Sequence, residues 1–216
     1  MDKKMIFGAL FALATGIGQA ATVETTDFIT NPDHFSGFED LEFVTYATTH
    51  LEDGVLVTEV NSLQGIYAAF TGWGAQGNRS WYANGGDVGY TDIKLASGAA
   101  IDSISFLAGN GWLKNPNYVH YQLLLGGTVV QSGTVESSLG AWVGFSHGGF
   151  DEVRLAGTYY PEYTSGEKQA LAIDNVKITA AVPEPETYTM LLAGLGVFGL
   201  IRRSRCLNAG DPRAAV

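Results

Sequence analysis

The 216-residue chain has almost no cysteine and little positive charge. Its single cysteine, Cys206, lies near the C-terminus, so no disulfide bond can form within the chain before it. Between Ala21 and Ala181 only 6 basic residues stand against 18 acidic ones, a net charge near −12. So acidic a surface repels phosphate backbones, and nucleic acid is therefore not an expected partner. The four histidines are scattered without an H-E-x-x-H motif, which gives a zinc site no support.

Residues 21–181 also lack the long 3.6-residue apolar stripe of a helix. Short apolar runs are instead interrupted by Gly, Asn, Asp and Ser about every ten residues, which is typical of antiparallel strands in a sandwich. The clearest element is the hairpin Leu123–Val130, in which Gly126 and Gly127 supply the positive φ of a tight turn. We expect one all-β domain, a jelly-roll-like antiparallel β-sandwich. The predicted strands are Leu41–Tyr46, Val55–Asn61, Gly65–Phe70, Val88–Leu95, Ala100–Ala108, Tyr118–Leu125, Thr128–Gly133, Ala141–Phe145, Phe150–Ala156 and Ala170–Thr179.

The N-terminus has the three parts of a secretory signal peptide. Lys3 and Lys4 precede the apolar stretch Met5–Ile17, and small residues follow at the positions that signal peptidase reads. The predicted cut lies between Ala20 and Ala21, which makes residues 1–20 the signal peptide. A retained N-terminal anchor is the alternative interpretation.

A second targeting segment is predicted at the other end of the chain. Val182–Thr187 contains two prolines, which keep the backbone extended and remove hydrogen-bond donors. The uncharged stretch Tyr188–Ile201 follows, and as a helix it would cover roughly 21 Å, less than the ~30 Å hydrocarbon core of a bilayer. Arg202, Arg203 and Arg205 come next, as on the cytoplasmic flank of a membrane segment. The alternative is an amphipathic or buried core helix.

This order of elements resembles the PEP-CTERM sorting signal of exported bacterial proteins. The resemblance rests on Pro183, Glu184 and Pro185, on Thr187, on the short hydrophobic helix and on the arginine cluster, and it covers residues 181–205. It implies a Gram-negative host with an exopolysaccharide-linked sorting system. It also implies transient membrane insertion of the C-terminal helix, recognition by an exosortase-type membrane enzyme, and cleavage near the Pro-Glu-Pro step. Release or attachment at the cell surface or extracellular matrix would follow. Residues 206–216 extend beyond the usual end of the family signal and are expected to be a disordered tail.

Two short motifs are similar to the first and last strands of jelly-roll domains found in PEP-CTERM proteins and in some carbohydrate-binding modules. They are Phe38–Leu41 (Phe-Glu-Asp-Leu) and Ala172–Val176 (Ala-Ile-Asp-Asn-Val). This resemblance supports the predicted fold and implies little about a ligand.

The catalytic motifs of hydrolases find little support. Gly144–Gly148 matches the G-x-S-x-G nucleophile elbow, but the glycines after Ser146 do not suit a helix. No histidine follows His147, so the base of that triad order is missing, and a glycine-rich turn is the simpler interpretation. Nothing in the sequence selects a glycosidase carboxylate pair from the 18 acids. We therefore expect a protein that is not an enzyme.

Aromatic residues in three predicted loops are the candidate carbohydrate contacts. Flat rings can stack on sugars while neighbouring polar groups bond their hydroxyls. The alternative is that these rings cap the ends of the core. The candidates are Trp73, Trp81 and Tyr82 in the irregular segment Thr71–Gly89, Trp112 in Gly109–Asn117, and Tyr159 and Tyr160 beside Pro161.

A calcium site is predicted where the first and last strands of a jelly roll would meet. Asp174 lies in an apolar run and is expected to share a core-facing side with Ala172, Val176 and Ile178. A buried carboxylate is costly unless it is paired, hydrogen-bonded or metal-bound, and oxygen ligands suit calcium. Glu39, Asp40 and Asp174 are the predicted ligands. The alternative is that Asp174 accepts backbone N–H bonds from a neighbouring loop.

These features predict an exported, surface-sorted protein. The leading interpretation is a structural or adhesive component of the cell envelope or extracellular polysaccharide matrix. A lectin-like carbohydrate-binding module is the first alternative, and a secreted hydrolase is the second.

Overall fold

A computed structural model of the chain describes residues 20–41, 48–60, 71–83, 89–162 and 170–182. Several predictions lie outside these residues. They are the signal peptide up to residue 19, the strand Gly65–Phe70, nearly all of Leu41–Tyr46, and the sorting segment and tail from Pro183 onward.

The described residues form twelve β-strands. Among these residues there is no helix long and apolar enough to cross a membrane. The strands in chain order are β1 (Thr22–Glu24), β2 (His34–Ser36), β3 (Thr49–Glu52), β4 (Val55–Val60), β5 (Trp81–Tyr82), β6 (Tyr90–Leu95), β7 (Ile101–Asn110), β8 (Asn117–Leu125), β9 (Thr128–Ser137), β10 (Ala141–Ser146), β11 (Glu152–Thr158) and β12 (Leu171–Ala180).

Two antiparallel sheets are built from these strands. The first sheet has the order β1-β10-β7-β12-β2, and β5 pairs with β12 as well. The second sheet has the order β3-β4-β6-β11-β8-β9. This arrangement confirms the predicted all-β sandwich. Strands that follow one another in the chain can lie in different sheets. For example, β10 belongs to the first sheet and β11 to the second.

The core lies between the two sheets because each long strand alternates apolar and polar positions. In β11, Val153 and Leu155 are fully buried, whereas Glu152 and Arg154 on the other face are half-buried. This alternation is the predicted one. Each large apolar side chain that is removed from water in this way stabilises the fold by about 1.5–3 kcal/mol. The largest fully buried core side chains are Trp81, Phe38, Phe106, Phe145, Phe150, Ile93, Leu95, Ile101, Ile104 and Leu123.

The longer predicted strands that fall on described residues are confirmed to within four residues at each end. The β8–β9 hairpin is also confirmed: Gly126 and Gly127 have φ values of 56° and 76°, the left-handed conformation that this turn requires. β9 runs to Ser137, four residues beyond the predicted end at Gly133.

The shorter strands β1, β2, β3 and β5 were not predicted. Each has two to four residues, too few to show an alternating pattern. β5 lies inside Thr71–Gly89, which was predicted to be irregular throughout. That prediction needs correction, because Trp81 and Tyr82 pair with β12.

A β-bulge in β12 changes the predicted face of Asp174. Pairing with β7 shifts register between Asp174 and Lys177, and Asn175 has a φ of 49°. Asp174 pairs with Leu107, which packs with Ala172 on the outer side of the first sheet. Val176, beyond the bulge, joins the core between the sheets instead. The expectation that Asp174 and Val176 share a face is therefore wrong.

Residues 71–80, the covering segment, lie over this outer side of the first sheet. Trp73 packs with Leu107 and Ala172, and its ring lies so close to Gly109 that a side chain there would collide with it. Gly74 approaches Gly140 in the same way, since a Cβ on Gly74 would come within 3.1 Å of the Gly140 Cα. The segment thus gives the first sheet a second, smaller apolar cluster.

Candidate functional site

Asp174 fastens the covering segment to the bulge of β12. Its side chain is fully buried, and its Oδ2 accepts the backbone N–H of Gln76 at 2.8 Å. Its Oδ1 accepts the backbone N–H of Asn175 at 2.7 Å. The Asn175 side-chain amide donates in turn to the side-chain oxygen of Gln76 at 2.7 Å. These contacts are those of the alternative in which Asp174 holds a neighbouring loop through its backbone.

Glu39 makes a second attachment to the same segment. Its Oε1 accepts the backbone N–H of Asn78 at 2.7 Å and that of Arg79 at 3.1 Å. The segment has no strand partner over these residues, so the carboxylate supplies acceptors that a sheet would otherwise provide. Two of the three predicted calcium ligands thus accept hydrogen bonds from the protein backbone.

Burial changes the titration of Asp174. Burial raises the pKa of this carboxyl group to about 7, although the N–H groups of Asn175 and Gln76 act in the opposite direction. The negative charges of Glu39 and Glu52 add to the increase. Glu39 and Asp174 thus both act on the covering segment, at backbone N–H groups two residues apart.

A different trio has the spacing of metal ligands. One ligand atom from each of Asp40, His50 and Glu52 lies within 4.8 Å of the other two. His50 is buried, and its Nε2 lies 3.5 Å from both carboxylates. Glu52 Oε2 already accepts hydrogen bonds from Ser36 Oγ at 2.7 Å and from the Phe38 N–H at 3.0 Å. An imidazole in this trio does not fit the all-oxygen ligation that calcium prefers. Calcium at the other set, Glu39, Asp40 and Asp174, stays a prediction.

Two of the six predicted carbohydrate-contacting aromatics are core residues. Trp73, in the covering segment, is 1% exposed against the first sheet, and Trp81 is 0% exposed between the sheets. Trp81 Nε1 donates to Thr91 Oγ1 at 3.2 Å, so its polar end is also satisfied internally. Neither ring can stack on a sugar while it is packed in this way, and the structure removes both from the predicted set.

Three other candidates come together at one end of the sandwich. Trp112 contacts Tyr159 edge to face at 5.0 Å between ring centroids, and Tyr159 contacts Tyr160 at 4.5 Å. We name these three residues the aromatic tip. Tyr159 is 37% exposed, and the Lys114 ammonium lies 4.7 Å from the centre of its ring. Tyr82, the sixth candidate, is half-buried against Gly111, which precedes Trp112.

A polar groove that the sequence did not reveal crosses the outer face of the second sheet. Its volume is about 560 Å³, and it is bounded by strands β6, β11, β8 and β9, which lie side by side. The residues that contribute most to its surface chemistry are Tyr90, His120, Gln122, Ser132, Thr134 and Arg154. They are outward positions on four strands, and only the sheet order makes them neighbours.

His120 links the strands beneath the groove. Its Nδ1 lies 3.0 Å from Thr134 Oγ1 on β9, and its Nε2 lies 2.8 Å from Thr158 Oγ1 on β11. The Thr158 hydroxyl donates to the carbonyl of Tyr160 at 2.5 Å. One chain of hydrogen bonds therefore connects the groove with the aromatic tip. His120 itself lies half-buried at the groove surface.

Arg154 carries the positive charge of the groove, and its charge is neutralised locally. Its Nε donates to Asp92 Oδ1 at 3.0 Å, and its Nη2 donates to Glu152 Oε1 at 3.1 Å. Burial opposes the charge on the guanidinium, but the hydrogen bond and charge of Asp92 outweigh it and raise the pKa of Arg154. Partial burial and the neighbouring Asp92 raise the pKa of Glu152. The guanidinium also lies over the Tyr90 ring at 4.1 Å, which fixes both side chains.

Ser146 has contacts that do not form a catalytic triad. It ends β10, and its hydroxyl donates to Glu24 Oε1 at 2.9 Å. His147 Nδ1 lies 3.0 Å from the same hydroxyl. In a triad the acid bonds the far nitrogen of the histidine, whereas here the acid bonds the serine itself. His147 and the next two glycines have positive φ values and form a turn, with no helix after the serine.

The geometry so far defines an all-β sandwich with an open polar groove on one sheet and an aromatic tip at one end. Residues 181–205 match the PEP-CTERM protein-sorting motif. The chain therefore carries this sorting signal, which implies an exported protein that an exosortase-type membrane enzyme processes.

The other comparisons contribute less. No curated protein significantly matches the sequence. Among solved structures, the chain is similar to the one titled "Solution structure, dynamics and binding studies of CtCBM11". The two are 14% identical, and the alignment covers 79% of this chain and 100% of that one with a TM-score of 0.29. This likeness is too distant to bear on the fold or on a ligand.

Proposed function

We propose that this exported protein is a non-enzymatic component of the cell envelope or extracellular matrix that binds polysaccharide. The observation that supports this proposal most is the groove on the second sheet. The sorting motif supports the proposal as well, since an exported protein can meet such a polymer outside the cell. Attachment or release after processing both fit this role, since either leaves the sandwich outside the cell.

The groove has the chemistry of a site for a sugar chain. Gln122, Ser132 and Thr134 offer amide and hydroxyl groups that can exchange hydrogen bonds with sugar hydroxyls, and Tyr90 adds an aromatic edge. The groove spans four neighbouring strands, or three spacings of about 4.8 Å each. An extended polymer can enter such an open surface at any point along its length, whereas an enclosed pocket would require a chain end.

The charges favour an uncharged polysaccharide. Arg154 is the arginine of the groove, and Asp92 and Glu152 already pair with it. The domain as a whole carries about twelve more acids than bases, so a polyanion would be repelled on approach. We therefore propose a neutral glycan as the ligand.

The same lining supports a role without catalysis. Among the described residues, no carboxylic acid lines this groove, and the two that adjoin it, Asp92 and Glu152, are both bonded to Arg154. Glycoside hydrolysis by the usual route needs a pair of carboxyl groups on either side of the scissile bond. Ser146, the one serine in an esterase-like motif, lies on the other sheet and has its hydroxyl bonded to Glu24.

A second candidate is a lectin-like module that binds through the aromatic tip. The observation in its favour is the 37% exposure of Tyr159 beside Trp112 and Lys114. The two candidates differ in which side chains touch the sugar, and substitutions can separate them.

The test is a glycan array followed by affinity measurement on the processed chain that begins at Ala21. If the groove binds, Gln122→Ala should weaken binding roughly five- to tenfold, the effect of one lost hydrogen bond. Thr58→Ala is the matched control, because Thr58 lies on the outer face of the same sheet but outside the groove. Loss of binding with Tyr159→Ala but not with Gln122→Ala would move the site to the tip. Shortened sugar products would contradict the non-enzymatic role.

A further inference from the structure

Strand β9 differs from the other strands at the sheet edges. β1 is one edge of the first sheet, while β2 and β5 share the other, and the second sheet ends at β3 and β9. The other four have two to four residues each. β9 has ten residues, and no described strand pairs with its outer side.

β9 also lacks the charged residues that usually protect an edge. From Thr128 to Val135 eight consecutive residues carry no charge and include no proline. By contrast, β1 ends at Glu24 and β3 ends at Glu52. An exposed edge presents unpaired N–H and C=O groups to another strand, and natural proteins commonly block it with charge, proline or a bulge. A bulge does occur near Val130, where the register with β8 shifts, so the regular part is Gln131–Ser137.

We propose that β9 pairs antiparallel with β9 of a second copy of this chain. Two identical strands that pair antiparallel are related by a twofold axis, so the assembly closes as a dimer. A second copy is the partner that this edge fits, because its own β9 offers a strand of the same length that is uncharged up to Glu136. The strongly acidic domains repel each other over most of their surfaces, which limits where two copies can meet. β9 is the long edge at which no like charges would meet except Glu136 near its end.

The pairing has a consequence for the groove, and this part rests on the proposed function. The groove crosses the strands in the order β6, β11, β8, β9, and Ser132 and Thr134 of β9 form its last contacts. The groove therefore reaches the edge at which the second copy would join. The twofold axis of two antiparallel strands stands perpendicular to the sheet, so both copies present the same face on the same side. The two grooves would then join into one that crosses eight strands and takes a long polysaccharide better than a short oligosaccharide.

Sedimentation velocity on the processed protein, over about 1 to 100 µM, tests the dimer directly, because a self-association equilibrium shifts with concentration. The double variant Ser132→Lys and Thr134→Lys places like charges across the proposed twofold and should leave a monomer. The double variant Ser132→Ala and Thr134→Ala removes the same two groove hydroxyls without adding charge and should remain a dimer. Leu51→Lys, at a 58% exposed site on β3, is the control for charge at a different edge and should also remain a dimer.

Three outcomes would overturn the pairing. They are a monomeric wild type throughout the concentration range, a dimer that the double lysine variant leaves unchanged, and a dimer that Leu51→Lys disrupts equally.

The effect of pairing on glycan binding has its own measurement. The ratio of affinities for long and short glycan chains should fall by a larger factor in the double lysine variant than in the double alanine variant. A dimer that binds neither length of glycan would contradict the proposed function and leave the pairing intact, whereas glycan binding by a monomer would do the reverse.

Discussion

Asp174 accepts the backbone N–H of Gln76 at 2.8 Å, although 98 residues separate the two in the chain. This contact joins the last strand to the covering segment, and the covering segment buries Trp73 on the first sheet. One carboxylate thus connects the closing strand to a long connection in the middle of the chain.

Near pH 4, Asp174→Asn should destabilise the domain by about 1–3 kcal/mol, because the amide nitrogen cannot accept a hydrogen bond and leaves one of the two buried N–H groups without an acceptor. The wild-type advantage should also depend on pH. The pKa of Asp174 is raised to about 7 in the fold from an ordinary 3.8, so the folded state binds the extra proton. The stability from this proton is fully present below the unfolded pKa of 3.8 and is lost as pH rises through 7, by at most about 4 kcal/mol.

Urea denaturation of both proteins between pH 4 and pH 8 checks this prediction. The difference in unfolding free energy between wild type and variant should shrink as pH rises. A difference that is constant with pH would show that the two states do not differ in the protonation of Asp174.

Calcium should raise the melting temperature of the domain if Glu39, Asp40 and Asp174 bind it, because a ligand that binds only the folded state stabilises it. Melting with calcium, with chelator, and with magnesium as the matched cation decides this prediction, together with elemental analysis. Zinc belongs in the same series because of His50 beside Asp40 and Glu52. An unchanged midpoint with every cation up to about millimolar concentration would leave these acids with a hydrogen-bonding role alone.

Ser146→Ala should leave any ester or peptide hydrolysis by the protein unchanged, since the Ser146 hydroxyl donates to Glu24 rather than relying on a triad. Stability should fall by about 1.5–3 kcal/mol through the loss of one hydrogen bond to a charged group. Assays of the purified wild type and variant side by side measure both effects. A robust activity that disappears with this single substitution would restore the hydrolase interpretation.

Mature protein from the producing cell should begin at Ala21 and lack Tyr188–Val216. The N-terminal part follows from the small residues before the cut, and the C-terminal part follows from the sorting motif at residues 181–205. Intact mass and terminal peptides decide between processed and unprocessed chains. Arg203→Ala with Arg205→Ala should cause unprocessed protein to accumulate, whereas Arg213→Ala, in the tail, should not. Surface protein that mostly keeps its original C-terminus would contradict the sorting prediction.

The sequence predicts the long strands of this fold because alternation is a local property. Val153 and Leu155 alternate with polar residues, and this pattern alone specifies β11 and its inner face. The short strand β5 has no such pattern, and its pairing depends on β12. The bulge after Asp174 is likewise set by tertiary contacts, which is why Asp174 was wrongly predicted to share the core-facing side of Val176.

The candidate sites show the same limit. In the sequence, Trp73 looks like an exposed loop residue. In the fold its ring packs against Gly109 of β7, where the lack of a side chain leaves room for it. Tyr90, His120 and Arg154 look unrelated in the sequence and become neighbours only through the strand order. Only the sorting signal could be read completely from the sequence, because a membrane enzyme recognises it as a short continuous segment.

The end of β12 has a mechanical consequence. β12 stops at Ala180, and the proline-containing segment begins at Pro183, so a chain tethered near that segment passes its load directly into β12. This strand is bonded to β7 on one side and to β2 and β5 on the other. A pull along its axis would strain many of these hydrogen bonds at once in shear, whereas a pull on an edge strand would break them one after another. A surface protein under shear flow would gain resistance to unfolding from a tether at this end of the chain.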